Sequence, residues 1–313
     1  TKLAGDIYSA LLELRALQQR DAFLAQLISP AVRQAVAGRR LEDVTAPREL
    51  PVTVLFCDLR GSVRMIDEGR ADLMGTWGTV AQALDEMTDA IVDQEGVIGD
   101  FQGDAAMGFW GWPLAQDDQI ERAARAALQI RTRFAEYARQ PGHPLQRFVC
   151  GIGVAHGPAI AGKLGSADQM KIGVFGPVVN RAARLESATK ALKVSVLVDD
   201  AVTAHLSRPG RSAGCRVRRV APVVPQGLSA PVLIGELLPP EGAVGGALSE
   251  PDRIRYEAAL DRFLARDWVA ARHLMSSLPP DGPADFLTRF MDAVQTPAGG
   301  PPPGWDGGIP VAK

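Results

Sequence analysis

Strand-like and helix-like segments alternate between residues 50 and 237 in an order that restricts the possible folds. Short apolar or β-branched runs, typical of strands, cover 52–56, 97–102, 105–110, 148–155, 159–164, 172–175 and 194–198. Longer segments with apolar residues at helical spacing cover 71–94, 119–137 and 178–191. The central order of strand, helix, strand, strand, helix, strand is typical of the split βαβ sandwich. The sequence therefore predicts an α+β, ferredoxin-like βαββαβ domain with helices packed on an antiparallel sheet.

Two turns are predicted inside this order. The dipeptide Gly103-Asp104 lies between two short strands and is a hairpin signal. The tripeptide His156-Gly157-Pro158 contains two turn-forming residues, so we expect it to separate strand 148–155 from strand 159–164.

The segments on either side of this domain differ from it in pattern. We assign the α+β domain to residues 49–240. Residues 1–48 have apolar positions near helical spacing, which predicts a linker helix, with a short parallel coiled coil as the alternative. Residues 250–295 predict a helical extension that packs on the domain, with a partner-binding surface as the alternative. Residues 296–313 form a Pro/Gly-rich tail, which we expect to be extended.

The overall charge supplies no general attraction to nucleic acid, and we expect no nucleic-acid partner. The 313-residue chain has 34 Lys and Arg against 36 Asp and Glu, a formal net charge of -2, so it offers no general attraction to polyanions. Its three cysteines form no CxxC pair, which predicts a reducing, cytoplasmic compartment. No apolar run approaches the roughly 20 residues that cross a bilayer. A sensor domain or a membrane-attachment segment could precede this chain in a longer protein.

Two carboxylates follow strand signals. Asp58 ends the first apolar strand, just before a turn that contains Gly61 and Ser62, whose backbone N–H groups could form an anion-binding nest. Asp104 occupies the tip of the predicted hairpin. If the two strands are neighbours, both carboxylates meet at one edge of the sheet, where they could hold two Mg²⁺ ions about 4 Å apart.

A third candidate group lies on a predicted helix. Asn180 and Arg184 are four residues apart and therefore share one helix face. The guanidinium of Arg184 suits phosphate oxygens. Because Gly176-Pro177 precedes the helix, Asn180 falls in its first turn, near the positive end of the helix dipole.

Four segments in this order resemble the catalytic domain of class III nucleotidyl cyclases. They are Phe56-Cys57-Asp58-Leu59-Arg60-Gly61-Ser62, Gly103-Asp104-Ala105-Ala106-Met107-Gly108-Phe109-Trp110-Gly111, Gly151-Ile152-Gly153-Val154-Ala155-His156-Gly157, and Val174-Phe175-Gly176 followed by Val179-Asn180 and Ala182-Ala183-Arg184-Leu185-Glu186. The resemblance spans roughly residues 51 to 200. It implies conversion of a nucleoside triphosphate to a 3′,5′-cyclic monophosphate and pyrophosphate, for intracellular signalling.

The resemblance also implies roles for the candidate residues. Asp58 and Asp104 would bind two Mg²⁺ (or Mn²⁺) ions, and the turn with Gly61 and Ser62 would contact the substrate. Asn180 would orient the ribose, and Arg184 would stabilise the charged transition state. In the family the metal-binding carboxylates come from one subunit, and the residues corresponding to Asn180 and Arg184 come from the other. The resemblance therefore implies a homodimer with two composite sites.

Two positions depart from the adenine-specific pattern of the family. Asp100 stands where adenylate-forming members carry Lys, and Gly173 stands where they carry Asp or Thr. A carboxylate accepts hydrogen bonds from N1–H and the 2-amino group of guanine, whereas adenine turns its N1 acceptor towards it. Between ATP and GTP, these residues favour GTP.

A third departure concerns the phosphates. Gln226-Gly227 aligns loosely with a Lys-Gly pair that contacts the triphosphate in the family, and Lys163 or Lys171 could substitute for that lysine. The alternative to an active cyclase is therefore a pseudocyclase that serves as a nucleotide-binding or dimerising regulatory module. Retention of Asp58, Asp104, Asn180 and Arg184 favours the enzyme.

Overall fold

The computed structural model of the chain describes residues 30–37, 41–62, 65, 67, 72–165, 170–225, 231–246, 248–297 and 299–311. Within the predicted linker it contains two short helices, α1 (Pro30–Val36) and α2 (Leu41–Thr45). The helix predicted for the remainder of the linker, over residues 1–29, lies outside the described residues. None of the described helices is both long enough and apolar enough to cross a membrane.

The remaining elements include the predicted alternation and continue beyond it. The strands are β1 (Arg48–Arg60), β2 (Val97–Gln102), β3 (Ala105–Trp110), β4 (Val149–Gly165), β5 (Met170–Phe175), β6 (Val196–Val198), β7 (Arg216–Pro225), β8 (Val232–Leu238) and β9 (Ile309–Val311). The helices are α3 (Leu73–Asp93), α4 (Gln119–Tyr137), α5 (Pro177–Leu192), α6 (Asp200–Leu206), α7 (Glu250–Leu264), α8 (Trp268–Ser276) and α9 (Gly282–Val294).

The strands form one sheet in the order β2-β3-β1-β4-β6-β8-β7-β9, and β5 pairs with β4 beside this path. Most neighbours are antiparallel, while β4 with β6 and β7 with β9 are parallel. Strand β1 is central, paired with β3 on one side and β4 on the other. The α+β fold with a sheet and packed helices is thus confirmed.

Strand β1 shows why an apolar run occupies the centre of the sheet. Its alternate residues enter two different cores: Val54 and Phe56 lie in one, and Leu55 and Cys57 lie in the other. A strand covered on both faces needs apolar residues at nearly every position. Helices α3 and α4 cover one face, and α5 with the C-terminal helices covers the other.

The turn predicted at His156-Gly157-Pro158 is wrong. These residues lie inside β4, which runs without interruption from Val149 to Gly165. Pro158 falls where β4 changes its second neighbour, because β6 pairs with residues 152–154 and β5 pairs with residues 160–165. A proline is tolerated in a strand where the ladder on one side is interrupted.

The C-terminal extension packs on the sheet. Trp268 is 1% exposed and stacks on Phe263 with ring centroids 5.5 Å apart. Trp305, from the Pro/Gly-rich tail, meets the edge of the Trp268 ring at 5.3 Å, and β9 pairs with β7. Burial of Trp268 favours the packed extension over the partner-binding surface. The prediction of an extended tail is wrong for most of its described residues, which contain the Thr296–Gly300 and Pro302–Trp305 turns, and only Ile309–Val311 is a strand.

Candidate active site

The sheet register brings Asp58 and Asp104 close together. Asp58 is the Cα partner of Ala105 across the β1–β3 ladder, so Asp104 lies one residue from direct pairing. Asp104 belongs to the two-residue turn between β2 and β3, in which Gly103 has φ +66°. Glycine adopts this left-handed conformation without steric cost. The predicted neighbourhood of the two carboxylates is therefore present in the structure.

Electrostatics reflect the closeness of the two groups. Burial raises the pKa of Asp58 above its ordinary value, and the Asp104 carboxylate raises it further. Lys190 and Arg60 act in the opposite direction. Because two carboxylates repel each other at short range, a cation placed between them would relieve the repulsion.

The donor set of this pair fits a divalent cation. Among the described residues there is no cluster of three or more His, Cys, Asp or Glu side chains suited to a metal. Mg²⁺ is commonly bound by one or two carboxylates together with substrate phosphates and water. Asp58 and Asp104 would supply the protein ligands of such a coordination shell.

The turn after β1 contains the other two predicted contacts at this edge. Gly61 has φ +97°, in the left-handed region, which explains a glycine at this position. The Ser62 side chain is buried, and its hydroxyl donates to the carbonyl oxygen of Leu59 at 3.4 Å. The Ser62 hydroxyl is thus directed back towards the end of the strand.

Helix α5 carries Asn180 and Arg184. It begins at Pro177 after the N-cap residue Gly176, as the sequence predicts. Asn180 is exposed and Arg184 is half-buried. The neighbouring Arg181 instead donates from Nη1 to the buried Asp199 carboxylate at 3.0 Å, which fixes the first turn of the helix on the sheet.

Two glycines allow α5 to lie directly on β4. A Cβ atom added to Gly153 would lie 2.1 Å from the carbonyl oxygen of Ala182, and one added to Gly151 would lie 2.6 Å from Oγ1 of Thr189. Any larger side chain would push the helix away from the strand. This close contact between β4 and α5 explains the two glycines of the Gly-Ile-Gly motif.

Sequence reasoning assigned no role to Glu186, Arg60 or Lys190, which the structure places near the carboxylate pair. Burial raises the pKa of Glu186 to about 7, with a further contribution from Asp58. Arg60 donates from Nη2 to the carbonyl oxygen of Val194 at 2.8 Å. The available signal was the position of Glu186 inside the fourth family-like segment.

Asn180 and Arg184 both lie on α5, four residues apart. Among the charged groups that shift the pKa of Asp58, Asp104 has the largest effect, ahead of Lys190 and Arg60. The structure thus groups Asp58 with Asp104, and it keeps Asn180 and Arg184 together on α5.

The two candidate base-reading positions lie on different strands. Asp100 is on β2 and Gly173 is on β5. Lys171, also on β5, places its Nζ 2.5 Å from Oδ2 of Asp100. Sequence reasoning offered Lys171 only as a phosphate ligand, and the structure instead pairs it with Asp100. Gln226 lies outside the described residues.

Comparison with known proteins identifies the family. Residues 44–220 match the family model described as the adenylate and guanylate cyclase catalytic domain. Adenylate cyclase 1 of Rhizobium meliloti (strain 1021) is 27% identical over 209 residues, which cover 64% of this chain and 31% of that protein. The match therefore spans about a third of that relative's length.

Solved structures share the fold. A bacterial light-regulated adenylyl cyclase superposes with a TM-score of 0.61 at 19% identity, covering 72% of this chain and 62% of that one. The guanylyl cyclase Cya2 has a TM-score of 0.50 at 27% identity, covering 64% of this chain and 98% of that one. More than half of the sequence lies within the family match. The chain therefore belongs to the class III adenylate and guanylate cyclase family.

Proposed function

We propose that this chain is an active nucleotide cyclase that converts a purine nucleoside triphosphate to its 3′,5′-cyclic monophosphate. The observation that carries the proposal is the register of β1 and β3, which sets the Asp104 carboxylate beside Asp58 at one edge of the sheet. A regulatory module that only binds nucleotides has no physical need for this repulsive pair. We assign the catalytic chemistry to residues 49–240, and we assign a packing role to residues 250–295.

In the proposed reaction the 3′ oxygen of the ribose bonds to the α-phosphorus while the bond to the pyrophosphate oxygen breaks. The products are the cyclic nucleotide, pyrophosphate and a proton. Negative charge is present on the attacking, non-bridging and leaving oxygens together. When bound, two Mg²⁺ (or Mn²⁺) ions would supply electrostatic activation of the attacking oxygen and stabilisation of the leaving group.

The residues of the chain have separate tasks in this proposal. Asp58 and Asp104 would hold the cations, and the backbone around Gly61 and Ser62 would contact phosphate oxygens. Asn180 would orient the ribose, and Arg184 would place its guanidinium on the α-phosphate. Asn180 is exposed on α5, which leaves it accessible to a site completed by a second copy of the chain.

The proposed substrate is GTP rather than ATP. Asp100 can accept hydrogen bonds from N1–H and the 2-amino group of guanine. The similar proteins include an adenylate cyclase and a guanylyl cyclase, so the assignment depends on this chain's own residues. We place the activity in the cytoplasm, where the cyclic product would act as a second messenger under the control of a sensor domain.

The test is product formation by the purified chain with ATP, GTP, CTP and UTP separately, in Mg²⁺ and in Mn²⁺. Asp58→Ala protein serves as the blank. We expect metal-dependent formation of a cyclic purine nucleotide, with GTP preferred. No product from any nucleotide, in a protein shown to be folded and dimeric, would contradict the enzyme proposal and favour the regulatory module.

Complementation tests the shared site. Asp58→Ala and Arg184→Ala proteins should each be inactive, and mixing them should restore part of the activity because one of the two sites in a heterodimer is intact. Heterodimer formation is verified by affinity capture with two different tags. Absence of rescue in verified heterodimers would contradict a site formed by two chains.

A further inference from the structure

Asp100 and Lys171 form an ion pair between two strands that are far apart in the sequence. The Nζ of Lys171 lies 2.5 Å from Oδ2 of Asp100. The other carboxylate oxygen, Oδ1, accepts a hydrogen bond from the backbone N–H of Phe101 at 3.1 Å. The carboxylate orientation is therefore fixed from two sides, while each oxygen keeps one lone pair and the ammonium keeps two N–H donors.

This pair is accessible and has little structural purpose. The side chains of Lys171 and Asp100 are 54% and 37% exposed, respectively. Ion pairs at such exposure contribute little to folding because solvent screens them. A cation and an anion held side by side on an open surface are available for a ligand.

The strand surface next to the pair is flat. Gly173 lies two residues beyond Lys171 on β5, so both belong to the same face of the strand. A Cβ atom at Gly173 would meet nothing within 4 Å, and Phe175 on the same face is 71% exposed. Ile172 and Val174 point the other way and pack on the core. An open strand surface with an exposed aromatic side chain suits a planar heterocycle.

We propose that Lys171 is a second base-reading residue, which together with Asp100 recognises the Watson–Crick edge of guanine. This inference rests on the proposed cyclase function and extends it to substrate choice. Guanine presents an acceptor at O6 followed by donors at N1 and at the 2-amino group. The Lys171 ammonium donates to O6, and the Asp100 carboxylate accepts from N1–H and the 2-amino group.

Adenine matches this pair less completely. Its edge offers one donor, the 6-amino group, and one acceptor, N1, and has only C2–H at the position of the 2-amino group. In the same register the Lys171 ammonium would face the 6-amino donor and the Asp100 carboxylate would face the N1 acceptor, so none of the three contacts to guanine is made with adenine. A polar group left unpaired on binding lowers affinity. We expect a preference for GTP over ATP of about 10- to 100-fold in kcat/KM on this basis.

Base analogues separate the roles of the two residues. Inosine triphosphate lacks only the 2-amino group, and 6-thioguanosine triphosphate replaces O6 with sulfur, a weak acceptor. In the wild-type chain GTP should exceed both in kcat/KM. Lys171→Met should lose the discrimination against the 6-thio analogue and keep the discrimination against inosine triphosphate. Asp100→Asn should show the reverse, and Arg139→Met, at an exposed position after α4, should resemble the wild type.

The doubly substituted chain, Asp100→Lys with Lys171→Asp, provides an independent check. It reverses the order of donor and acceptor along the strand surface and should turn the preference from GTP to ATP. Both positions are exposed, so folding is preserved and is verified by thermal melting. Unchanged base preference in Lys171→Met, with turnover intact, would overturn the role of Lys171.

Nucleotide binding is measured in parallel, as displacement of a ribose-labelled fluorescent GTP by GTP and by ATP. If no variant and no wild-type protein makes cyclic product, the cyclase proposal fails. In that case, GTP-selective displacement that is lost in Lys171→Met would still support base reading by Lys171. If the chain makes cyclic product but its nucleotide displacement is the same in Lys171→Met as in the wild type, the cyclase proposal stands and the base-reading role of Lys171 is rejected.

Discussion

The Arg218 guanidinium donates two hydrogen bonds to the Asp281 carboxylate, from Nη1 at 3.1 Å and from Nη2 at 2.7 Å. Arg218 lies on β7 and is 2% exposed, whereas Asp281 is the N-cap of α9. The same guanidinium donates from Nε to Glu236 at 2.7 Å and lies 4.5 Å from the centre of the Tyr256 ring. One buried cation therefore joins the sheet to the C-terminal extension.

Replacing this cation should strongly destabilise the fold. Arg218→Met leaves the Asp281 and Glu236 carboxylates buried without their partner, which costs about 3–5 kcal/mol. Arg219→Met is the matched control, because Arg219 pairs with Glu257 and Asp261 at the surface and should cost less than about 1 kcal/mol. Urea unfolding measures both variants. Equal losses would contradict the assignment of the buried network as the main link.

The carboxylate pair should be required for turnover and unnecessary for folding. Asp58→Ala or Asp104→Ala removes half of the proposed cation site and should lower metal-dependent turnover by at least about 100-fold. Because the two carboxylates repel each other in the metal-free protein, neither substitution should lower its thermal stability through loss of charge. Turnover assays and melting in chelator-containing buffer test both statements, and appreciable remaining activity would remove the metal assignment.

The close contact between β4 and α5 should make Gly153 intolerant of a side chain. Gly153→Ala places a methyl group 2.1 Å from the Ala182 carbonyl oxygen, where neither backbone can yield without displacing the helix. We expect a loss of about 2–3 kcal/mol, with lower turnover because α5 carries Asn180 and Arg184. Gly78→Ala in α3 meets nothing within 4 Å and should stabilise by about 0.4–1 kcal/mol. A Gly153→Ala variant with unchanged stability would contradict the close contact between β4 and α5.

The raised pKa of Glu186 predicts a particular dependence of stability on pH. Its pKa is about 7 in the folded chain against an ordinary value of 4.5, because burial and the Asp58 carboxylate disfavour the charged form. Between these values the folded state binds more protons than the unfolded state. The stability contributed by this group is therefore present below pH 4.5 and is lost as the pH rises towards 7.

Glu186→Gln should remove that dependence. In metal-free buffer the free energy of unfolding of the variant, relative to the wild type, should increase from pH 5 to pH 7.5 by roughly 1 kcal/mol, a figure reduced for partial solvent exposure. Glu49→Gln, at an exposed position of β1, is the control. Parallel curves for Glu186→Gln and the wild type would contradict the raised pKa.

Local sequence signals determined the parts of this protein that depend on near neighbours in the chain. The apolar run before Asp58, the Gly103-Asp104 turn and the helical spacing of Asn180 and Arg184 each depend on a few consecutive residues. Their order along the chain was sufficient to predict the α+β fold and the family. The catalytic roles of these residues stay predictions.

Tertiary structure decided the relationships that join distant segments. His156-Gly157-Pro158 continues β4 because residues 48–60 of β1 pair with residues 149–161 of β4. Local turn preference takes no account of this pairing. Asp100 and Lys171 are 71 residues apart, and Arg218 and Asp281 are 63 residues apart. Each contact exists because strands and helices pack around a shared core. Local sequence specifies which groups are available, whereas packing selects the pairs that meet, because their separation depends on every element between them.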